Sequence, residues 1–242
     1  MLQTLFWIIS IPIAAILLMF NIRRLLFLLA ILPGSRPRKK ISLLSETYLP
    51  EVLILVPCRD EATMIPEMCH SLSQLDYPSE KLQVVLVDDG SVDGTGQVME
   101  QQVATRPGWH VLKFASNLGK ARALNTALAR FHFGEILYIF DADHRPNADA
   151  IRQAARYFYA PRVAAVTGFT KVSNPVASPS AFYSTVESYV NQLVTMLGKD
   201  RLGLAPALLG SNCAYRREPL IVCGGFRNGA LSEDSDLTVT FY

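Results

Sequence analysis

Acidic side chains follow several apolar runs of the sequence, and they are the residues best suited to chemistry. The first three runs are continuously apolar, which is typical of strands buried on both faces of a parallel sheet. Carboxylates at the carboxyl ends of such strands lie at the edge where α/β proteins bind ligands. Like charges gathered there need a cation or a polyol to compensate them. The acidic clusters are Asp60-Glu61, Asp88-Asp89, Asp141 with Asp143, and Glu233-Asp234.

Asp141 and Asp143 are the best candidates for metal ligands. They stand one residue apart, directly after the apolar run 136–140. Two carboxylates at i and i+2 in a turn can bind one Mg²⁺ or Mn²⁺, which would keep its other positions for waters and phosphates. Such an ion would neutralise a leaving diphosphate. Capping of the next helix is the alternative. His144 follows directly, but without a second nearby His it is interpreted as a supporting or surface residue.

Three further residues have open interpretations at this stage. Asp89 can accept hydrogen bonds from a base or a ribose hydroxyl, or belong to an Asp-Gly turn that caps a helix. Lys120 begins a helix, where an anion would be favoured, but a solvated lysine is an equal alternative. Asp234 can act as a general base if the fold returns it to the strand ends, or it can simply complement a helix dipole.

The elements that must position these residues alternate between strands and helices, which predicts right-handed βαβ crossovers and a mostly parallel sheet. The regular alternation of strands and helices ends after residue 171. The sequence then predicts a long helix over 180–197, a strand over 208–215 and a helix from 232. The earlier strands are predicted at 52–56, 82–87, 110–114, 136–140 and 163–167, and the helices at 64–75, 94–104, 120–131 and 148–159.

The N-terminus predicts a membrane attachment. Residues 1–22 contain no charged side chain, and residues 2–20 would span about 28 Å as a helix, close to one bilayer core. Arg23-Arg24, a short apolar stretch at 25–32 and basic residues within 36–40 follow. We therefore expect a transmembrane anchor with an interfacial segment over 1–34, a basic linker over 35–50, and a cytoplasmic domain over 51–242. A cleaved signal peptide is the alternative, but a basic n-region and a cleavage site are absent.

The net charge and the cysteines limit the kinds of partner and site that the chain can have, and its last residues bear on where the domain ends. A net charge of +2 argues against nucleic acid as the main partner, and the basic cluster suits anionic headgroups. The four cysteines have no metal-binding spacing, so buried, reduced thiols are expected. The chain stops within an apparently helical run at 240–242, which predicts a domain truncated at its C-terminus.

The ordered motifs resemble the family-2 glycosyltransferases, which are GT-A fold enzymes that use nucleotide sugars. The resemblance covers residues 52–242 and implies a Rossmann-like, mixed but mostly parallel sheet flanked by helices. The motifs are VPCRDEA, VVLVDDGSVDGT, NLGKARALNTAL, FDADH, LLGSNCAYRRE and SED. The N-terminal anchor and SED are most similar to the membrane-embedded branch that makes cellulose, hyaluronan or poly-N-acetylglucosamine. No QxxRW motif follows within the chain.

The resemblance also implies a role for each motif. Asp141 and Asp143 would hold the metal and the diphosphate, and Asp234 would be the catalytic base. The rest of the nucleotide-sugar site would comprise Pro57, Glu61, Asp89 and Lys120. The sugar and acceptor would meet Gly210, Ser211, Asn212 and Glu233, together with the segment Tyr215-Arg216-Arg217.

The implied activity is inverting, metal-dependent transfer from a UDP-sugar to a glycan or lipid, at the cytoplasmic face of the plasma (inner) membrane. Two alternatives stay open. One is a non-processive transferase that loads a polyprenyl phosphate or a lipid. The other is a truncated or degenerate member that binds nucleotide sugar without turnover.

Overall fold

A computed structural model of the protein describes residues 2–33, 45, 47–173, 177–229 and 233–241. The chain falls into two compact units, one from Met1–Lys40 with Lys171–Pro206 and the other from Ile41–Thr170 with Ala207–Tyr242. The sequence-based boundaries assign residues 171–206 to the catalytic domain, whereas the structure groups them with the N-terminal helix. The basic cluster at 36–40 lies outside the described residues.

The α-helices of the described chain range from 5 to 30 residues in length. They are α1 Leu2–Ile31, α2 Ile65–Ser73, α3 Thr95–Val103, α4 Lys120–Arg130, α5 Ala150–Ala155, α6 Pro179–Val190, α7 Leu197–Arg201, α8 Arg217–Val222 and α9 Glu233–Thr240. A π-helical turn at Asn191–Met196 joins α6 to α7, and short 3₁₀ turns occur at Ser79–Lys81 and Arg156–Tyr159.

The second unit is built on a six-stranded sheet in the order β3-β2-β1-β4-β6-β5. The first four of these strands are parallel, and β6 runs antiparallel to both β4 and β5. The prediction of a mixed, mostly parallel sheet flanked by helices is therefore confirmed. The strands are β1 Val52–Cys58, β2 Leu82–Asp88, β3 Trp109–Lys113, β4 Ile136–Ile139, β5 Ala165–Thr167 and β6 Cys213–Arg216.

Both faces of the sheet are covered, which explains why its central strands are apolar without interruption. Successive side chains of a strand point to opposite faces, so Ile54 and Leu55 enter different clusters although both are fully buried. The Ile54 cluster includes residues from α2, α3 and α5. The Leu55 cluster includes residues from α4, α8 and α9.

The structure corrects the sequence-based elements after residue 150. The strand predicted at 208–215 is shorter and later, at Cys213–Arg216, because Asn212 has a left-handed backbone with φ 53°. The helix predicted at 148–159 ends as an α-helix at Ala155 and continues as a 3₁₀ turn. Helix α8 has no counterpart in the sequence-based prediction. Of the four cysteines, Cys223 is exposed rather than buried.

In the first unit, α1 is one continuous helix of 30 residues, so the predicted anchor and interfacial segment are parts of a single element. Arg23 does not interrupt it, because arginine has a high helix propensity, and its guanidinium lies 4.7 Å from the centroid of the Phe20 ring. Residues Phe6–Ile31 are long and apolar enough to cross a membrane, by length and composition only.

Candidate active site

The topology brings the acidic clusters to one edge of the sheet. Strand β1 lies between β2 and β4, so the chain order reverses there, and ligands of open α/β sheets bind at such a switch point. Glu61 follows β1, Asp89 follows β2, and Asp141 follows β4. All three strands are parallel, so these residues stand at the same edge.

The charges at this edge act on the buried thiol of Cys58. Burial raises the pKa of Cys58 well above its ordinary value, and the nearby carboxylates of Glu61, Asp88 and Asp141 act in the same direction. Carboxylates from three strand ends therefore lie close enough to Cys58 to act on its charge. This is the electrostatic arrangement that the sequence predicts, and it favours a cation in the crevice.

The loops after β1 and β2 are tied together by side-chain hydrogen bonds. The backbone N–H of Asp60 donates to Ser91 Oγ at 3.0 Å, and Val92 N–H donates to Asp60 Oδ1 at 2.9 Å. The backbone N–H of Glu61 donates to Thr95 Oγ1 at 2.9 Å. Asp60 thus joins the two loops through its backbone and its side chain, and Thr95 holds the backbone N–H of Glu61. Pro57, in the preceding strand, pairs with Val87 of β2.

Asp89 holds the segment that leads into α4. Its Oδ1 accepts from Leu118 N–H at 2.7 Å and its Oδ2 accepts from Gly119 N–H at 2.9 Å. The side chain is only 6% exposed. Both carboxylate oxygens therefore have backbone partners, and their first effect is to position the residue that comes next, Lys120.

Lys120 reaches across the crevice to the Asp141 carboxylate. Its Nζ donates to Asp141 Oδ1 at 2.7 Å and to the Gly210 carbonyl oxygen at 2.9 Å. Both side chains of the ion pair are about one-third exposed. Lys120 is therefore paired with a predicted metal ligand rather than only solvated.

His144 stands with the two predicted metal ligands in a group that could hold a metal ion. One ligand atom from each of Asp141, Asp143 and His144 lies within 4.8 Å of the others. The turn that brings them together is closed by His144 N–H, which donates to the Asp141 carbonyl oxygen at 3.1 Å. Two carboxylates and one imidazole suit Mn²⁺ or Mg²⁺ as a donor set. From sequence His144 was interpreted as a supporting or surface residue; its position makes it a third candidate ligand.

Two residues of the predicted sugar-binding loop, Ser211 and Gly210, contact His144 and Lys120. Ser211 Oγ is 3.3 Å from His144 Nε2, and the Gly210 carbonyl accepts from Lys120. The Asn212 amide has partners within the protein: its Oδ1 accepts from the Tyr138 hydroxyl at 2.8 Å and its Nδ2 donates to the Phe169 carbonyl at 3.3 Å. Its amide thus fixes the loop.

Arg216 and Arg217 do not belong to the site, contrary to the prediction. Arg216 pairs with Ile136, at the amino end of β4, whereas Asp141 follows the carboxyl end. The guanidinium of Arg217 donates to the Gly134 carbonyl at 2.8 Å, and burial lowers its pKa. Because β6 is antiparallel, the residues that follow Cys213 run away from the catalytic edge.

Helix α9, whose second residue is Asp234, packs on the same face of the sheet as α4. Its Leu237 is buried, and Thr238 Oγ1 accepts from Leu208 N–H at 2.8 Å. Burial raises the pKa of Cys213 to about 11, and the charge of Asp234 adds to that rise. Cys213 pairs with Ile139 at the carboxyl end of β4, so Asp234 acts electrostatically on the strand end that precedes Asp141. Glu233 is the first residue of α9.

The arrangement of strands and acidic loops is that of the GT-A fold. The mannosyltransferase PcManGT from Pyrobaculum calidifontis, solved with GDP-Man and Mn²⁺, superposes with a TM-score of 0.74 and 30% sequence identity, over 96% of this chain and 63% of that chain. The structure of S. aureus TarS 1–349 superposes with a TM-score of 0.58 at 23% identity, over 79% of this chain and 55% of that chain.

Sequence comparison gives the family. Residues 53–224 match the profile of glycosyl transferase family 2, and the chain belongs to that family. It is 26% identical to the probable glycosyltransferase YdaM of Bacillus subtilis over 80% of this chain and 47% of the relative. It is 27% identical to the beta-monoglucosyldiacylglycerol synthase of Synechocystis over 80% of this chain and 40% of the relative. The chain thus spans less than half the length of these curated relatives.

Proposed function

We propose that the chain is the donor-binding and catalytic part of an inverting glycosyltransferase that uses a nucleoside diphosphate sugar. The observation that carries this proposal is the cluster of Asp141, Asp143 and His144 beside Lys120, at the switch point of a family-2 domain. Carboxylates and an imidazole next to an ammonium suit a diphosphate that arrives with a divalent cation.

The proposed donor is UDP-linked. A relative that is 28% identical over 77% of this chain is the cellulose synthase catalytic subunit [UDP-forming] of Pseudomonas fluorescens. The structural neighbour PcManGT carries GDP-Man instead, so guanosine diphosphate is the rival ligand in any test. Pro57, Glu61 and Asp89 would line the nucleoside side of this pocket, with Asp89 acting at least through the loop that it holds.

The chemistry follows from the charges of the crevice. Asp234 accepts the proton of the acceptor hydroxyl, whose oxygen forms a bond to the anomeric carbon while the bond to the diphosphate oxygen breaks. Lys120 stabilises the negative charge that develops on the diphosphate. A Mg²⁺ or Mn²⁺ held by Asp141, Asp143 and His144 would supply further charge compensation for the leaving group. Gly210, Ser211 and Glu233 would contact the sugar or the acceptor, and Asn212 would shape their loop.

Attachment to a membrane is part of this proposal. Helix α1 has the length and composition of a span, and the positive charge of Arg23-Arg24 after its uncharged part supports a cytoplasmic location for the rest of the chain. We accordingly propose a location at the cytoplasmic face of the plasma (inner) membrane. The acceptor is then a growing glycan or a lipid within that membrane.

Calorimetric titration with UDP and Mn²⁺ tests the donor site. We expect UDP binding that requires Mn²⁺, because the cation links the diphosphate to the carboxylates, and we expect its loss in Asp141→Ala and Asp143→Ala. Asp234→Asn should bind UDP normally but fail to transfer sugar from a UDP-sugar. Asp76→Ala is the matched control, since its carboxylate pairs with Arg152 away from the site.

Two results would contradict the assignment. Binding of UDP that is unchanged in Asp141→Ala would exclude this cluster from the donor site, and stronger binding of GDP would exclude the uridine donor. Metal-dependent binding without any transfer, in a chain extended to the length of its relatives, would favour the degenerate, nucleotide-binding alternative.

A glycolipid synthase is the second candidate, and the relatives favour it specifically. Three beta-monoglucosyldiacylglycerol synthases are 27–29% identical to the chain over 78–80% of its length. The products decide between the candidates: a single sugar on diacylglycerol or a polyprenyl phosphate identifies the non-processive enzyme, and a ladder of oligosaccharides identifies a polysaccharide synthase.

A further inference from the structure

Six apolar side chains lie exposed along the helical segment of the first unit that runs from Pro179 to Arg201. In α6, Phe182, Val186 and Val190 follow each other at spacings of four residues, which places them along one stripe of that helix. Leu193 and Leu197 follow in the π-helical turn and at the start of α7. Each is between 37% and 66% exposed. We call them the apolar stripe: Phe182, Tyr183, Val186, Val190, Leu193 and Leu197.

The same segment has a polar side with the same periodicity. Ser180, Ser184, Glu187 and Asn191 are exposed and also stand three or four residues apart. The exposed surface is therefore divided into an apolar and a polar stripe. An amphipathic helix of a water-soluble domain buries its apolar side, but within the described chain this one leaves it uncovered.

The segment packs on α1 near the end of its most apolar part. Phe27 is only 5% exposed, and a Cβ added at Gly198 would lie 2.6 Å from Phe27 Cβ. Gly198 thus permits a close contact between the two helices. Phe27 stands four residues after Arg23, about 6 Å along the helix axis. Because Arg23-Arg24 end the uncharged part of α1, the membrane attachment proposed above would put this contact near the lipid headgroups.

We infer that the segment Pro179–Arg201 lies in the interface of a bilayer that contains anionic lipid, with the apolar stripe facing the acyl chains. The occupant of the stripe is lipid because the stripe belongs to a segment packed on a helix composed to cross a bilayer. Lys199 and Arg201 near its end, like Arg23 and Arg24, complement anionic headgroups. This inference rests on the membrane attachment proposed above and adds a second contact with the lipid.

Single fluorescent labels on the full chain test the inference. In a Cys223→Ser background, Val186→Cys reports on the apolar stripe and Ser184→Cys on the polar stripe; both positions are exposed. Each is labelled with bimane in phosphatidylcholine–phosphatidylglycerol vesicles. Interfacial helices bury their apolar side by about 5–10 Å, so a lipid with a shallow nitroxide should quench the label at 186 several-fold more than the label at 184. Aqueous iodide should give the reverse order.

A third label separates this inference from the proposed membrane attachment. Leu17→Cys reports on α1, where residue 17 is 57% exposed, and a deep nitroxide should quench it. Quenching at 17, with equal iodide quenching at 186 and 184, would overturn the interfacial helix and leave the attachment intact. A chain that fails to float with the vesicles, with no quenching at 17, would overturn both.

Discussion

At the scale of single residues, the Lys120–Asp141 contact has the clearest functional consequence. The ammonium pairs at 2.7 Å with Oδ1 of Asp141, the first residue of the candidate metal-binding cluster. A divalent cation must therefore compete with Lys120 for Asp141, whereas a diphosphate would gain a positive partner from it. The two effects have opposite signs, so one substitution separates them.

Lys120→Met keeps the length of the side chain and removes its charge. A partly exposed ion pair contributes about 0.2–1 kcal/mol, so we expect Mn²⁺ alone to bind up to about fivefold more tightly to the variant. UDP should bind more weakly in the presence of saturating Mn²⁺. Both constants are measured by calorimetry.

Lys113→Met is the control, because it removes an ammonium from an exposed pair with Glu100 at 3.0 Å. It should change neither constant. Weaker binding of Mn²⁺ to Lys120→Met would show that the ammonium does not compete with the cation.

At the scale of elements, α4 fixes the loop that leads toward α9. Asn125 Nδ2 donates to the Phe226 carbonyl at 2.7 Å, and its Oδ1 accepts from Phe226 N–H at 2.8 Å. Phe226 is 2% exposed, and Gly225 beside it has a φ of +77°. A single side-chain amide thus satisfies both backbone hydrogen-bonding groups of Phe226, in the segment that precedes Asp234.

Asn125→Leu should destabilise the domain by about 1–3 kcal/mol, because it leaves the buried N–H and C=O of Phe226 without partners. Urea denaturation measures the change in the free energy of unfolding.

Thr126→Val, on the same helix, is the matched control, since the Thr126 hydroxyl is exposed and bonds only within α4. Its effect should stay within about 0.5 kcal/mol. An equal loss in both variants would mean that the Asn125 amide has no special role.

At the scale of the whole molecule, the reactivity of the cysteine thiols tests the packing of the core on both faces of the sheet. Cys58, Cys69 and Cys213 are buried, whereas Cys223 is exposed. Burial raises the pKa of Cys69 to about 11, and the same cause dominates the rise of Cys213 to about 11. These thiols stay protonated at neutral pH, and only the thiolate reacts rapidly.

Iodoacetamide at pH 8 should therefore alkylate Cys223 in the native chain and the other three thiols only after unfolding in urea. Mass spectrometry of the peptides measures the modification, and Cys223→Ser should abolish the native reaction. Raising the pH toward the elevated pKa values increases the thiolate fraction at the buried sites, but their burial still prevents access. Native labelling at Cys58 would contradict the packing of β1.

The sequence by itself determined the parallel part of the sheet, because strands buried on both faces must be apolar throughout. It also determined that Asp141 and Asp143 stand at a strand end, since their position follows directly from the run before them. That α1 is a candidate membrane span was predictable from composition and length alone, but its continuation through Arg23-Arg24 to Ile31 as one helix was not.

Tertiary structure decided the features that depend on residues distant in sequence. Three contacts join segments whose distance is fixed only when the chain packs. They are the pairing of Lys120 with Asp141, the hydrogen bonds from two backbone amides to Asp89, and the approach of α9 to β4. The antiparallel direction of β6 removed Arg216 and Arg217 from the site, because sequence spacing gives a strand's extent but not its direction. His144 joined the metal-binding cluster because the turn after β4 brings its ring toward the two carboxylates.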